Sequence, residues 1–218
     1  MIKAHRFPYN DFQVNTYVVH DDTKECIIFD PGMYYENERN ELLQFISENG
    51  LKPVLLVNTH AHIDHIIAND FIVKEYQIKL AAHKESQNFL KHAKEYGQNF
   101  GIKLDEVKPI DIFIDEERPL KFGTSELQIL YTPGHADGSL CFYAKDADFV
   151  ITGDVLFFQS IGRTDLPTGN YDLLQESIWE KLFTLPEKTT VYPGHGPETT
   201  IGYEKLHNPF VAIGKDLL

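Results

Sequence analysis

The sequence predicts an α/β protein in which two sheets are faced by helices. Three observations carry this expectation. Short apolar runs of strand length recur in both halves of the chain. Longer segments with helical periodicity separate them. Several strand-like runs finish on glycine beside a histidine or an aspartate, which places those residues at sheet edges where the backbone turns tightly.

FQVNTYVVH and KECIIFDPG read as two strands joined by a polar turn at Asp21 to Lys24. ENERNELLQFISENG reads as a helix that starts acidic, carries Leu42, Leu43 and Ile46 on one face and stops at Gly50. PVLLVNTH is a short strand, HIIANDFIVKEY a helix and IKLAAHK a strand, and a polar helical segment runs from Glu85 to Gly97. In the second half LKFGTSELQILYTPGH is a hairpin around Gly123, followed by the strands SLCFYAK and DFVITGD. YDLLQESIWEKLFTLP is the clearest helix, its stripe of Leu174, Ile178, Leu182 and Leu185 serving core packing. TTVYPGHG is a last strand and ETTIGYEKLHN a last helix.

The 218 residues suit one unit over 1–218, since no low-complexity linker divides them. Apolar residues make up 42% and charged residues 24%, an ordinary globular composition. The net charge of -13 repels phosphate backbones, so nucleic acid is an unexpected partner. No stretch approaches the ~20 apolar residues of a membrane span, and the first residues lack a signal-peptide run. Cys26 and Cys141 sit in apolar runs without a CxxC pair, which reads as two reduced, buried thiols. The expectation is a cytoplasmic protein acting on a small molecule.

The chemistry concentrates after VLLVN. There His60, His62, Asp64 and His65 fall within six residues. On extended backbone His60 and His62 point to the same side, because side chains alternate with period two. Asp64 and His65 come as the chain enters the next helix and can face a neighbouring ion. His135, Asp154 and His195 end three further strands in TPGH, VITGD and VYPGHG. A lone histidine at a strand end is more often a packing residue than a ligand. Three histidines and an aspartate in one short run have no such structural reason. Neutral imidazoles and carboxylates suit Zn²⁺, and two ions ~3.5–4 Å apart can act on one substrate. Asp154 has the chemistry to bridge them. His5, His20, His83, His92 and His207 lack such neighbours and read as surface or packing residues, with His92 on a polar helical face away from any motif.

With these motifs the sequence resembles the metallo-β-lactamase superfamily over nearly its whole length. The resemblance implies a four-layer αβ/βα sandwich with the metals at one edge of the sheets. It implies that His60, His62 and His135 hold one metal, that Asp64, His65 and His195 hold the second, and that Asp154 bridges. Asp30 in FDPG resembles an aspartate that supports a metal-bound histidine, and is equally readable as a turn residue. Within the superfamily, GDVLFFQSIGRTDLPTGNYDLLQESI and YPGHGPETTIGYEKLHNPF are most similar to the small, type II glyoxalase-like hydrolases. The implied reaction is hydrolysis of a thioester, hydroxyacylglutathione hydrolase-like, with two Zn²⁺ (iron or manganese being the other choices), a metal-bound hydroxide as nucleophile and Asp64 orienting it. The extra C-terminal helical region by which larger type II glyoxalases help bind glutathione does not follow here. A persulfide dioxygenase with one iron shares GRTD at Gly162 to Asp165 and is the alternative, as is a lactone or other ester hydrolase. A binding module without activity is expected to lose ligands, and none of the seven is lost. For substrate, Arg163 can grip a carboxylate or pair with Asp165 to shape its loop, and Phe158 can line the pocket or cover the core.

Overall fold

The computed structural model describes residues 1–104 and 106–213. Two six-stranded mixed sheets form the centre. The first runs β1 (Lys3–Tyr9), β2 (Val14–His20), β3 (Glu25–Phe29), β4 (Lys52–Val57), β5 (Lys79–Ala82) and β6 (Ile112–Phe113) in that spatial order. Its first three strands pair antiparallel and the rest parallel. The parallel crossovers carry the helices α1 (Glu36–Glu48), α2 (Ile63–Ile66), α3 (Asn69–Tyr76) and α4 (Ser86–Asn99). The second sheet holds β7 (Leu120–Phe122), β8 (Ser125–Tyr131), β9 (Leu140–Ala144) and β10 (Phe149–Gly153). The small hairpin of β11 (Leu156–Phe157) and β12 (Ser160–Ile161) comes next, then α5 (Tyr171–Ser177). β13 (Thr190–Pro193) lies parallel to β10, β14 (Thr199–Thr200) closes that edge, and α6 (Ile201–His207) follows.

Period-two alternation makes four layers from these elements. Tyr17, Val19, Ile27, Phe29 and Val57 face Leu127, Ile129, Phe142 and Ile151 across the gap between the sheets. Val18, Ile28, Leu56 and Leu80 point the other way, onto Leu42, Ile46 and Ile72 of α1 and α3. On the far side Cys141, Tyr143, Val150 and Val191 pack on Leu174, Ile178 and Leu182. Both cysteines are free and buried. Among the described residues no helix is long and apolar enough to cross a membrane.

Three differences from the sequence reading have physical causes. β1 has no counterpart in the sequence reading because it is an edge strand whose inward side chains His5 and Phe7 are only partly buried, so its alternation is weakly written. The helix expected over HIIANDFIVKEY is two helices. Ala68 leaves helical geometry (φ -102°, ψ 16°), its N–H bonds to the Pro31 carbonyl, and Asn69 pairs with Asn58 through their side chains. The helix over YDLLQESIWEKLFTLP passes into a π-helical turn at Ile178–Leu182, where the Phe183 N–H reaches the Ile178 carbonyl, while Leu174, Ile178 and Leu182 of the stripe are buried and Leu185 partly so.

Asp21 ties the two sheets together at the end of β2. Its carboxylate accepts hydrogen bonds from the Thr23 and Thr124 N–H groups and from the Ser125 hydroxyl, at 2.8–2.9 Å. Burial opposes its charge, but these bonds prevail and hold the carboxyl well below the usual range. A depressed folded-state pKa means stability that is present above the unfolded value, about 4, and lost as pH falls below it. Asp21→Asn should therefore lower stability by about 1.5–3 kcal/mol at neutral pH. The gap to the native protein should close in melting curves taken below about pH 4.

Candidate metal centre

The site forms where strand ends from both sheets meet. β4 finishes at Val57, and the chain leaves the sheet through Asn58 and Thr59. His60 follows, then His62 in extended geometry (φ -66°, ψ 153°) as the residue that starts α2. Asp64 and His65 lie in that short helix. In the other sheet β10 and β13 run parallel with Gly153 opposite Pro193, so Asp154 and His195 emerge side by side. His135 lies in the turn between β8 and β9. Two backbone bonds stitch the sheets together here, Leu140 N–H to the Thr59 carbonyl at 2.8 Å and Asn15 N–H to the Gly194 carbonyl at 2.7 Å. Gly194 leaves the room this needs: a Cβ there would lie 2.1 Å from Asp154 Oδ1 and 2.9 Å from the His65 ring.

All seven expected ligands are brought together. The ligand atoms of His60, His62 and His135 lie within 4.8 Å of one another, and so do those of Asp64, His65 and His195. Asp154 stands between the groups. Its Oδ1 is 3.3 Å from His65 Nε2, and its Oδ2 is 3.5 Å from His195 Nε2 and 3.7 Å from His135 Nε2.

The outer nitrogens are held from behind, which turns the others inward. His135 Nδ1 lies 2.8 Å from the Arg163 carbonyl and His195 Nδ1 lies 2.9 Å from the Phe12 carbonyl. Both must donate there, leaving Nε2 with a lone pair toward the centre. His65 Nδ1 is 3.0 Å from Asp30 Oδ2. The Thr59 hydroxyl donates to the same carboxylate at 2.6 Å and faces His60 Nδ1 at 3.1 Å. Asp30 also accepts the Thr59 N–H at 2.8 Å. Asp30, His60 and His65 come close enough to form a third possible group. With its oxygens engaged by three donors, however, Asp30 is disposed to hold His65 and Thr59 rather than an ion.

The electrostatics call for a cation. Burial first, then the neighbouring histidines, push His60 well below the usual imidazole range. Burial and His135 bring His62 down to about 3. Burial lowers His135 as well. His65 is also buried, yet the carboxylates of Asp154, Asp64 and Asp30 outweigh this and raise it well above its ordinary value. Burial is likewise outweighed at His195 by the bond to Asp64. The carboxylates thus draw positive charge into the centre. His60 Nε2 and Asp154 Oδ1 are buried with no hydrogen-bond partner, and His62 Nδ1 meets His135 Nε2 at 2.8 Å. Unpartnered inward lone pairs beside carboxylates are what one or two metal ions would satisfy, so the residues fit such a group.

An open cleft of about 360 Å³ lies over this centre. Phe12, Tyr96, Phe100 and Phe157 line it together with Asp64, Asp154 and His195. These aromatics come from the β1–β2 loop, α4 and its end, and β11, and no sequence signal links segments so far apart. Phe158 is turned out of the cleft, stacked on Tyr203 at 5.4 Å, where the chain leaves β11 for the turn before β12. Phe157, one residue earlier, faces His195. Arg163 lines the cleft, with Nε and Nη2 each 2.7 Å from the Asp165 carboxylate and both side chains exposed. His92 is not remote from the motifs: it lines a second cavity that opens beside His62, since the face of α4 that carries it turns toward the site. His5 and His20 stack on each other, and His83 packs on Tyr131.

A family model for the metallo-beta-lactamase superfamily matches residues 9–195, a span that takes in all seven clustered side chains. The chain belongs to the metallo-beta-lactamase superfamily. Its two mixed sheets and flanking helices are that superfamily's sandwich. The chain is 44% identical to the probable metallo-hydrolase YqgX of Bacillus subtilis, over 96% of this chain and 98% of the relative. It is 37% identical to the hydroxyacylglutathione hydrolase GloC of Haemophilus influenzae, over 94% and 95%. Among solved structures, the B3 metallo-beta-lactamase BLEG-1 superposes with a TM-score of 0.88 at 38% identity, covering 96% of this chain and 99% of that one.

Proposed function

We propose that this superfamily member is a dinuclear metal-dependent hydrolase of thioesters, acting as one unit over residues 1–218. One observation carries the reading: the Asp154 carboxylate lies between two three-residue groups, and its buried Oδ1 has no hydrogen-bond partner. In this reading His60, His62 and His135 would hold one ion, Asp64, His65 and His195 would hold the other, and Asp154 would serve both. Zinc suits this mixture of neutral imidazoles and carboxylates. Two such ions supply, when bound, an electrophile for the carbonyl oxygen and an activated water.

The chain's own residues do the positioning. The carbonyls of Phe12 and Arg163 and the carboxylate of Asp30 fix the imidazoles. Asp64 keeps one edge on the cleft, where it can orient the attacking water and take its proton. A thiolate leaves readily, so no separate acid is required. The likeness to GloC supports a thioester, and the free, buried thiols suit a reducing compartment such as the cytoplasm. The likeness to BLEG-1 makes β-lactams the competing substrate.

Metal quantification on protein prepared without chelator should find about two ions per chain. A screen over thioesters, lactones and β-lactams should show thioesters turned over best. A single tightly held iron with thiol-dependent oxygen uptake, or turnover of β-lactams alone, would overturn the proposal.

Arg163 offers a finer test. Its pair with Asp165 is exposed, so Arg163→Ala should leave the melting temperature nearly unchanged, because such pairs contribute about 0–1 kcal/mol. If the guanidinium exchanges Asp165 for a substrate carboxylate, KM for a carboxylate-bearing thioester should rise by an amount equivalent to roughly 1.5–3 kcal/mol. A small neutral thioester should be turned over as before. Equal damage to both substrates would assign Arg163 to shaping the loop.

A further inference from the structure

We infer that the substrate's acyl group is apolar, up to about six carbons long, and seats beneath α4 beside His62. The inference rests on the thioesterase reading and names its substrate class. A second cavity of about 200 Å³ opens off the cleft and shares His62, Ile63, Tyr96 and Leu166 with it. Its walls are mostly apolar, from Ala61, Ile63, Phe89, Ala93, Leu166 and Pro167, with Asn88, His92 and Thr168 as polar neighbours. Among the described residues no lysine, arginine or carboxylate lines it. The Phe89 ring meets the His62 imidazole edge-on at 5.3 Å, so the cavity begins one ring away from the metal centre.

Size and chemistry decide which part of a thioester enters. At roughly 30 Å³ for each water-sized group, the cavity takes about six or seven heavy atoms. That suits a short acyl chain and is too small for a peptidic thiol carrier, which the larger, open cleft can accommodate. Water in the cavity would find few partners, so an apolar chain gains by displacing it. A charged or polyhydroxylated acyl group would lose its hydration there without replacement. Arg163 is the one lysine or arginine among the cleft's described lining residues, and it is shared with Asp165. A carrier with two carboxylates therefore has a single, already engaged cationic partner.

The test uses straight-chain acyl thioesters of one small neutral thiol, N-acetylcysteamine, from acetyl to decanoyl, with the metal-loaded protein. The value of kcat/KM should rise about three- to fourfold per methylene to roughly six carbons and then level or fall. Ala93→Phe fills the cavity, and Asn88→Phe narrows its mouth from an exposed position on α4. Either should collapse the hexanoyl-to-acetyl ratio. Melting curves confirm that the variants fold, and if Ala93→Phe does not, Asn88→Phe decides. A flat series with hydrolysis intact, or a gradient that both folded variants preserve, overturns the inference and leaves the thioesterase reading standing. If no thioester is hydrolysed, that reading falls, and calorimetric binding of straight-chain carboxylates decides the cavity separately. Affinity that climbs with chain length and is lost in the filled variant upholds it, and affinity independent of length overturns it.

Discussion

Asp154→Ala should remove most hydrolysis, on the order of 10³-fold or more, together with metal from both positions. The reason is its place between the two groups. Each other proposed ligand belongs to only one of the two proposed ligand triads, so its loss leaves the opposite triad complete. Loss of Asp154 deprives His65, His195 and His135 of a carboxylate in the same step. The fold should survive, since the three main apolar clusters are built from other residues and Asp154 Oδ1 makes no hydrogen bond that would be lost. Turnover assays and metal quantification on native and variant protein, with circular dichroism, read all three quantities. His207→Ala, on the exposed end of α6, is the silent control. Two ions and native turnover in the Asp154→Ala protein would dismiss the bridge.

Asp30→Ala should weaken metal binding without touching a proposed ligand. The carboxylate accepts from the Thr59 N–H, the Thr59 hydroxyl and His65 Nδ1, and through Thr59 it reaches His60. Removing it strands buried donors at about 1–3 kcal/mol each, so a net loss of about 2–4 kcal/mol in stability is expected. It also frees the His65 ring to turn, for which a 10–100-fold fall in metal affinity is typical. Asp30 adopts φ +47°, a conformation that aspartate and asparagine tolerate and alanine resists. Asp30→Asn therefore separates the backbone demand from the acceptor role. It keeps the turn but offers an amide N–H₂ where at least one donor now points. Chelator competition should show both variants weakened. Native affinity in a folded Asp30→Asn protein would reduce Asp30 to a turn residue.

The sequence disclosed the centre because its ligands are chemically improbable as packing. HxHxDH needs no neighbour to be noticed, and TPGH, TGD and PGHG repeat one local arrangement of strand end, glycine and ligand. Most strands and helices were legible for a related reason: burial on one face or both writes its period into the residues. Legibility failed where burial is absent or where three-dimensional neighbours decide. β1 lies at an edge, where its inward side chains His5 and Phe7 are only partly buried. The break at Ala68 depends on Pro31, and the choice of Phe157 over Phe158 for the cleft depends on where the two-residue strand β11 gives way to its turn. The place of His92 depends on how α4 is rotated against the site, which its own polar sequence does not state.

The seven clustered side chains are divided between the halves of the molecule. His60, His62, Asp64 and His65 follow a strand of the first sheet, and His135, Asp154 and His195 follow strands of the second. An ion held there is a clasp across the seam, and its binding energy counts toward keeping the halves closed. At a free metal concentration 100 times the dissociation constant, this linkage adds about 2.7 kcal/mol to the folded state. Opening the seam would release such an ion, so a chain starved of metal should open more often and expose its interior to proteases. The amount of this protein that a cell retains should then follow its supply of metal, even with synthesis held constant.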